Sequence, residues 1–249
     1  KRPVPKGRAM YSEFKRFAAD SSLPRMERIR DLLANMLEYA RYYAVIKGGV
    51  TAGSGDVDVD HRLESIQTLD STVTDPLLLY MFSAWKHNRV SRDGLIRMLA
   101  DLESYLFRRM VCSVSSNGLN KLVPSLIARL DSDEDDLAEI FAALLLTETA
   151  KATRMPTDEE FRQALLGEDL YRPTPRCKYL LAGLENRNHP KDSRSFSGYT
   201  IEHIMPQNAM AHAEWRDMLG DPDRFPLLVN SLGNLTLTAY NSELSDGTF

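Results

Sequence analysis

Two short segments near the C-terminal end limit what this chain can become. The first, Tyr199 to Asn208, reads Tyr-Thr-Ile-Glu-His-Ile-Met-Pro-Gln-Asn. Tyr199 and Ile201 alternate with polar residues, the period of a half-buried strand, and Pro206 stops the run soon after His203. The second, about thirty residues on, is Ser231-Leu-Gly-Asn-Leu-Thr-Leu-Thr-Ala-Tyr-Asn241. It reads as a turn, a short strand and the entry to a helix. Together they predict a β-hairpin with a helix behind it and a metal between them.

The residue types suit one chemistry. Cutting a phosphodiester needs a base that takes a proton from water near neutral pH, and histidine has the right ordinary pKa. It also needs a cation to neutralise charge on the phosphate and the leaving oxygen. Hard cations such as Mg²⁺ take oxygen ligands, commonly one or two from the protein, with waters filling the shell. Glu202 and the side-chain oxygen of Asn241 are donors of that kind. Neighbours on a strand point to opposite faces. Glu202 and His203 therefore serve one site only where the strand ends or bends, and Pro206 makes an ending there plausible.

The run Glu-His-Ile-Met-Pro-Gln-Asn followed by Leu-Gly-Asn-Leu-Thr-Leu-Thr-Ala-Tyr-Asn resembles the ββα-metal (HNH-type) nuclease motif. More narrowly, it resembles the C-terminal nuclease domain of GmrSD-type modification-dependent restriction enzymes and their phage-defence relatives. The likeness extends upstream through Glu103 to Leu126, Pro156 to Leu165 and Lys178 to Glu185. Carried over by position, the resemblance makes His203 the general base, Asn234 the residue that holds the metal loop, and Asn241 the third motif residue and a metal ligand. Glu202 stands where many relatives have a metal-binding aspartate. The third residue is asparagine rather than histidine, an H-N-N variant that implies a weaker, Mg²⁺-like preference. The sequence ends at Phe249, just inside the helix expected to carry Asn241.

Taken singly, each residue has a plainer reading. A histidine in a half-buried strand is commonly structural. Asn234 beside Gly233 is a turn signal. Asn241 reads as a helix N-cap with Leu244 and Phe249 behind it. Their order and spacing, joined to the resemblance, favour catalysis.

The rest of the chain reads as helical. Of 249 residues, 43% are hydrophobic, enough to bury a core in one large domain or two. The formal charge of −4 is not that of a nucleic-acid binder as a whole, so DNA contact needs a local patch. Cys112 and Cys177 form no Cys-x-x-Cys, which argues against structural zinc and fits a reducing, cytoplasmic setting. No run of eighteen apolar residues marks a membrane span. The chain opens at Lys1 without methionine and reads as a fragment of a longer protein.

Helices are predicted over Tyr11–Ala19, Leu23–Lys47, His61–Leu69, Asp75–His87, Ser91–Ser115 and Leu119–Leu130, the last broken or started by Pro124. Met26, Ile29, Leu32, Leu33, Met36, Leu37 and Tyr43 fall largely on one stripe of the second, and Leu95, Leu99, Leu102 and Leu106 mark the buried stripe of the fifth. Gly48 to Asp60 lacks the Gly-Lys-Ser/Thr ending of a phosphate loop and reads as a connection. The acids of Asp131 to Glu139 suit the first turn of a helix through Phe141, Leu144 and Leu145. Thr157 to Glu160 is a capping box.

Candidate phosphate contacts come from two places. Arg108 and Arg109 close a helix, where they suit its dipole; contact with a phosphate, with Lys121 nearby, is the other reading. Tyr171 to Gly198 holds six basic residues, Arg187, Lys191 and Arg194 among them, against Glu185 and Asp192. That surplus lies directly before the motif, where a phosphate backbone needs neutralising. Trp215 is expected to anchor the insertion between the strands, and His212 to be an exposed helix residue.

The expected fold is mostly α: a large helical domain over residues 1–195, then a small ββα-metal (HNH-like) module over 196–249 with its C-terminal end cut short. The expected activity is metal-dependent DNA endonuclease of a restriction or phage-defence system, using Mg²⁺ or Mn²⁺. The alternative is a non-catalytic DNA-binding or protein-interaction scaffold with a degenerate motif. No RNA-binding signature is present. The resemblance implies DNA as partner, an N-terminal nucleotide-using or modification-sensing domain in the full-length protein, and no membrane. One ββα site cuts one strand, so full cleavage needs two sites in proximity, as in a homo-oligomer, or two successive events.

Overall fold

The computed structural model describes residues 9–19, 24–48, 53–69, 72–131, 136–172, 174–188 and 196–240. They are mostly α-helical, with one two-stranded antiparallel sheet. Contacts divide the chain into two compact units. Residues 1–67, 71–102 and 116–154 form one; residues 68–70, 103–115 and 155–249 form the other.

The first unit opens with α1 (Met10–Ala19), α2 (Arg25–Ile46) and α3 (Val57–Thr68). It continues through α4 (Asp75–Lys86) and the start of α5 (Arg92–Val111) to α6 (Leu119–Leu130) and α7 (Leu137–Leu146). Among the described residues, the C-terminal end of α2 is its most closely packed part. Ile46 is fully buried, the Tyr42 ring lies 5.5 Å from Phe82 of α4, and Lys47 Nζ reaches Asp75 Oδ1 at 2.7 Å. The apolar stripe earlier on α2 is not a core stripe: Met26, Leu33, Met36 and Leu37 are all exposed. Helical spacing says which residues share a face; it does not say that the face has a partner.

On α5 the stripe is buried as expected. Leu95, Met98, Leu99 and Leu102 are at most 1% exposed, each contributing about 1.5–3 kcal/mol by burial. Pro124 neither starts nor breaks α6 but lies inside it. The continuous buried face of Leu119, Leu122, Val123, Leu126 and Leu130 keeps the helix whole despite the missing N–H. Asp136 caps α7, accepting from the backbone N–H groups of Ala138 and Glu139. Of the acidic run, residues 132–135 lie outside the described residues.

In the second unit, α8 (Asp158–Gly167) begins with the predicted capping box, in which Thr157 and Glu160 satisfy each other's backbone N–H groups. Next come α9 (Thr174–Asn188), β1 (Thr200–His203), α10 (Ala213–Leu219), α11 (Phe225–Leu228) and β2 (Leu235–Thr238). The strands pair Thr200 with Thr238, Ile201 with Leu237, Glu202 with Thr236 and His203 with Leu235. A two-stranded ribbon is marginal in water by itself. Here α9 covers one face: Cys177 and Leu181 pack with Ile201 and Leu235 in one small core.

The excursion between the strands has a core of its own. Met205, Ala209 and Trp215 are buried there, with Leu219, Phe225, Leu228 and Val229 packed around them. Trp215 is the anchor expected of it. His212 is not an exposed helix residue: it precedes α10, is half-buried, and its Nε2 has no hydrogen-bond partner among the described residues. The helix expected after β2 falls at residues 241–249, outside the described residues, so of the ββα order the two strands are seen. No helix among the described residues is long and apolar enough to cross a membrane.

Candidate active site

Period-two alternation sorts the hairpin into two faces. Ile201 and His203 are buried on the face that meets α9, while Thr200 and Thr236 are exposed on the other. Glu202 pairs with Thr236 and is half-buried on this second face. Adjacent in sequence, Glu202 and His203 thus leave β1 in opposite directions. The strand ends at His203, as the proline downstream led one to expect.

His203 is 9% exposed, and its surroundings fix its ring. The Tyr171 ring meets it edge-to-face at 4.6 Å between centroids. Nε2 lies 3.1 Å from Asn230 Oδ1 and 3.5 Å from Gln207 Nε2. Asn230 is itself anchored, for its Nδ2 donates to Asp169 Oδ2 at 2.8 Å and its carbonyl accepts from Leu170 N at 3.2 Å. Asp169 Oδ1 also accepts from Tyr171 N at 3.1 Å. The loop between α8 and α9 is thereby tied to the turn before β2, with His203 between them.

Asn234 makes a second tie. Its Oδ1 accepts from Met205 N at 2.6 Å; its Nδ2 donates to Met205 O at 3.0 Å and to Val229 O at 2.8 Å. Every hydrogen-bonding atom of the amide is used, and the residue is 8% exposed. Ile204 N adds a bond to Asn234 O at 2.9 Å. The chain leaving β1 is therefore clipped to the chain entering β2.

Beneath the site, burial pushes the Cys177 thiol up to about 11, and the negative charge of Asp169 adds to the shift. That thiol belongs to the core under the hairpin.

Asn241, Lys191 and Arg194 lie outside the described residues. Arg187 is exposed in the last turn of α9. Arg108 pairs with Asp158 at 2.6 Å, donates to Pro156 O at 3.3 Å, and lies over the Phe161 ring. Arg109 is 2% exposed, donates to Ser115 O at 2.7 Å and lies over the Tyr105 ring. Burial closes Arg109 to a phosphate, so for this residue the phosphate contact gives way to a packing role. Among the described residues no three His, Cys, Asp or Glu side chains come together to hold a metal.

Sequence reasoning missed Asn230 and Asp169. The signal was faint: Asn230 stands one residue before the segment that begins at Ser231, and Asp169 is far away in the chain.

Residues 155–249 match the family model of the GmrSD restriction endonucleases, C-terminal domain. Neither a curated protein nor a solved structure matches the chain.

Proposed function

We propose that this chain, whose residues 155–249 match the GmrSD restriction endonuclease C-terminal domain, is a metal-dependent DNA endonuclease with His203 as its general base. The observation that carries the reading is the double clip around His203. Asn234 fixes the chain on one side and Asn230 meets the ring on the other. A base works when its nitrogen is held where the attacking water must sit, and a buried ring with fixed neighbours meets that need.

In this reading His203 takes a proton from water. The hydroxide attacks phosphorus, the bond from phosphorus to the leaving oxygen breaks, and that oxygen gains a proton. Glu202 is a hard oxygen donor on the face of β1 opposite His203, so it serves the same phosphate only past the end of the strand, and Asn241 is the second donor. One or two such donors suit a loosely held Mg²⁺ or Mn²⁺ whose other ligands are water and phosphate. That ion would supply charge neutralisation on the phosphate. Arg187, Lys191 and Arg194 would neutralise the flanking backbone, with Arg108 beyond them. The HNH type, the ββα completion of the hairpin and a place in phage defence belong to the same reading. So do a nucleotide-using or modification-sensing partner domain and self-association.

The exposed apolar residues of α2 favour a second reading, in which the helical part is a contact surface and the nuclease motif only clamps DNA. Supercoiled plasmid incubated with Mg²⁺ or Mn²⁺ separates the two. The nuclease nicks or cuts it. His203→Ala protein that is folded should lose roughly 10²–10⁴ in rate. Unchanged nicking by that variant, free of contaminating nuclease, would sink the assignment.

A further inference from the structure

The relation of His203 to Asn230 and Asp169 says which ring nitrogen can act. Asn230 presents its amide to two neighbours at once. Asp169 is a carboxylate and can only accept, so the Asn230 end facing it at 2.8 Å must be the NH₂ group. The end facing His203 Nε2 at 3.1 Å is then the carbonyl oxygen, which can only accept. His203 must therefore donate from Nε2. In a neutral imidazole with its proton on Nε2, the free lone pair is on Nδ1.

We infer that Asp169 and Asn230 are a positioning pair that holds His203 with its proton on Nε2 and leaves Nδ1 to accept the proton from water. This rests on His203 being the general base. Asp169 touches neither the reacting atoms nor the ring; it acts through Asn230.

Two features bear on the arrangement. The edge-to-face Tyr171 ring and the 9% exposure of His203 oppose turning the imidazole over, which would set a C–H against Asn230 Oδ1. Gln207 Nε2 competes for the same ring nitrogen, but at 3.5 Å it is the weaker contact. Asp169 is exposed, so solvent screens its charge and its effect should be moderate. Outer partners of metal-ligating histidines contribute about 10- to 100-fold, and the same scale is expected for a base held in this way.

The test uses the full chain labelled with ¹⁵N in its histidines, free of metal for the ring spectra and supplied with Mg²⁺ for nicking, with His203→Ala protein to assign the His203 ring signals. Asp169→Asn and Asn230→Leu are compared with wild type. In the Asp169→Asn protein the new amide can turn its own NH₂ toward Asn230 and let the Asn230 amide reverse, so this substitution attacks the tautomer and little else. The expected wild-type spectrum shows the proton on Nε2. Both variants should give a mixture of tautomers, with nicking slowed about 10- to 100-fold and KM for DNA little changed. A wild-type ring protonated on Nδ1, or variants that keep the wild-type ring signature, would overturn the inference. A wild type that nicks no plasmid defeats the nuclease reading instead, and the ring signature still decides the tautomer.

Discussion

Met205 and Asn234 hold each other through two hydrogen bonds, one from Met205 N to the Asn234 side-chain oxygen at 2.6 Å and one from the Asn234 amide to Met205 O at 3.0 Å. A side chain here adds a rung beyond the end of the β ladder. The two strands end at the His203–Leu235 pair, and Asn234 continues the link past it.

Asn234→Ala should therefore destabilise the C-terminal unit without removing any group from the chemistry. It leaves buried backbone groups at Met205 and Val229 without their partner, at roughly 1–3 kcal/mol for each group stranded. Urea denaturation of the variant should show a lower midpoint, and nicking should fall with the folded fraction. An unchanged midpoint would mean that water replaces the amide and that the clip is not structural.

Neutralising Arg187, Lys191 and Arg194 together to Ala should weaken DNA binding alike on all sequences. Removing one phosphate-binding cation should flatten the slope of log affinity against log salt by about one unit. Titrations at several salt concentrations read the slope directly. A triple variant with the wild-type slope would leave these residues as a solvated surface.

Metal choice should follow the oxygen donors. Wild-type activity should be supported by Mg²⁺ or Mn²⁺ and abolished by a chelator. Asn241→Ala should lose activity that high Mn²⁺ partly restores, since mass action overcomes weak binding. Asn241→His should move preference toward Zn²⁺ or Ni²⁺, which imidazole suits. Metal titrations of nicking rate measure all three, and an Asn241→Ala enzyme with the wild-type metal dependence would remove this residue from the ligand set.

The two cysteines should differ sharply toward alkylating reagents. Cys177 is 2% exposed and its thiol is raised to about 11, mainly by burial. Near pH 8 only roughly one part in a thousand of it would be the reactive thiolate. Cys112 is half-exposed. Mass spectrometry of the native protein after brief alkylation should find label on Cys112 first. Equal rates would show that α9 does not seal the core under the hairpin.

What could be read from the sequence was what depends on neighbours in the chain. The stripe of α5, the capping box at Thr157 and the anchor Trp215 are set by spacing of a few residues, and all three stand in the structure. The strands were legible because His203 and Asn234 each lie beside a turn or stop signal. What was not legible depends on partners far off in the chain. The α2 stripe looks like a core stripe, yet Met26 and Leu33 are exposed. Arg109 looks like a surface cation, yet it is buried over Tyr105. Asn230 meets Asp169 only because the turn before β2 folds onto the loop after α8. A single sequence carries no local sign of that meeting.

The two strands are joined through residues 204–234, which pack around Trp215 in the folded chain while His203 faces Leu235. Pairing of this kind waits on closing a long loop, and its entropy cost comes before any of its contacts form. During synthesis, His203 leaves the ribosome well ahead of Asn234, Leu235 and Asn230, the residues that give it a fixed setting. A nascent or partly unfolded chain would thus carry the histidine without its frame. Assembly of the frame is a folding event in itself, and a substitution as remote from the chemistry as Trp215→Ala could silence the protein by stopping it.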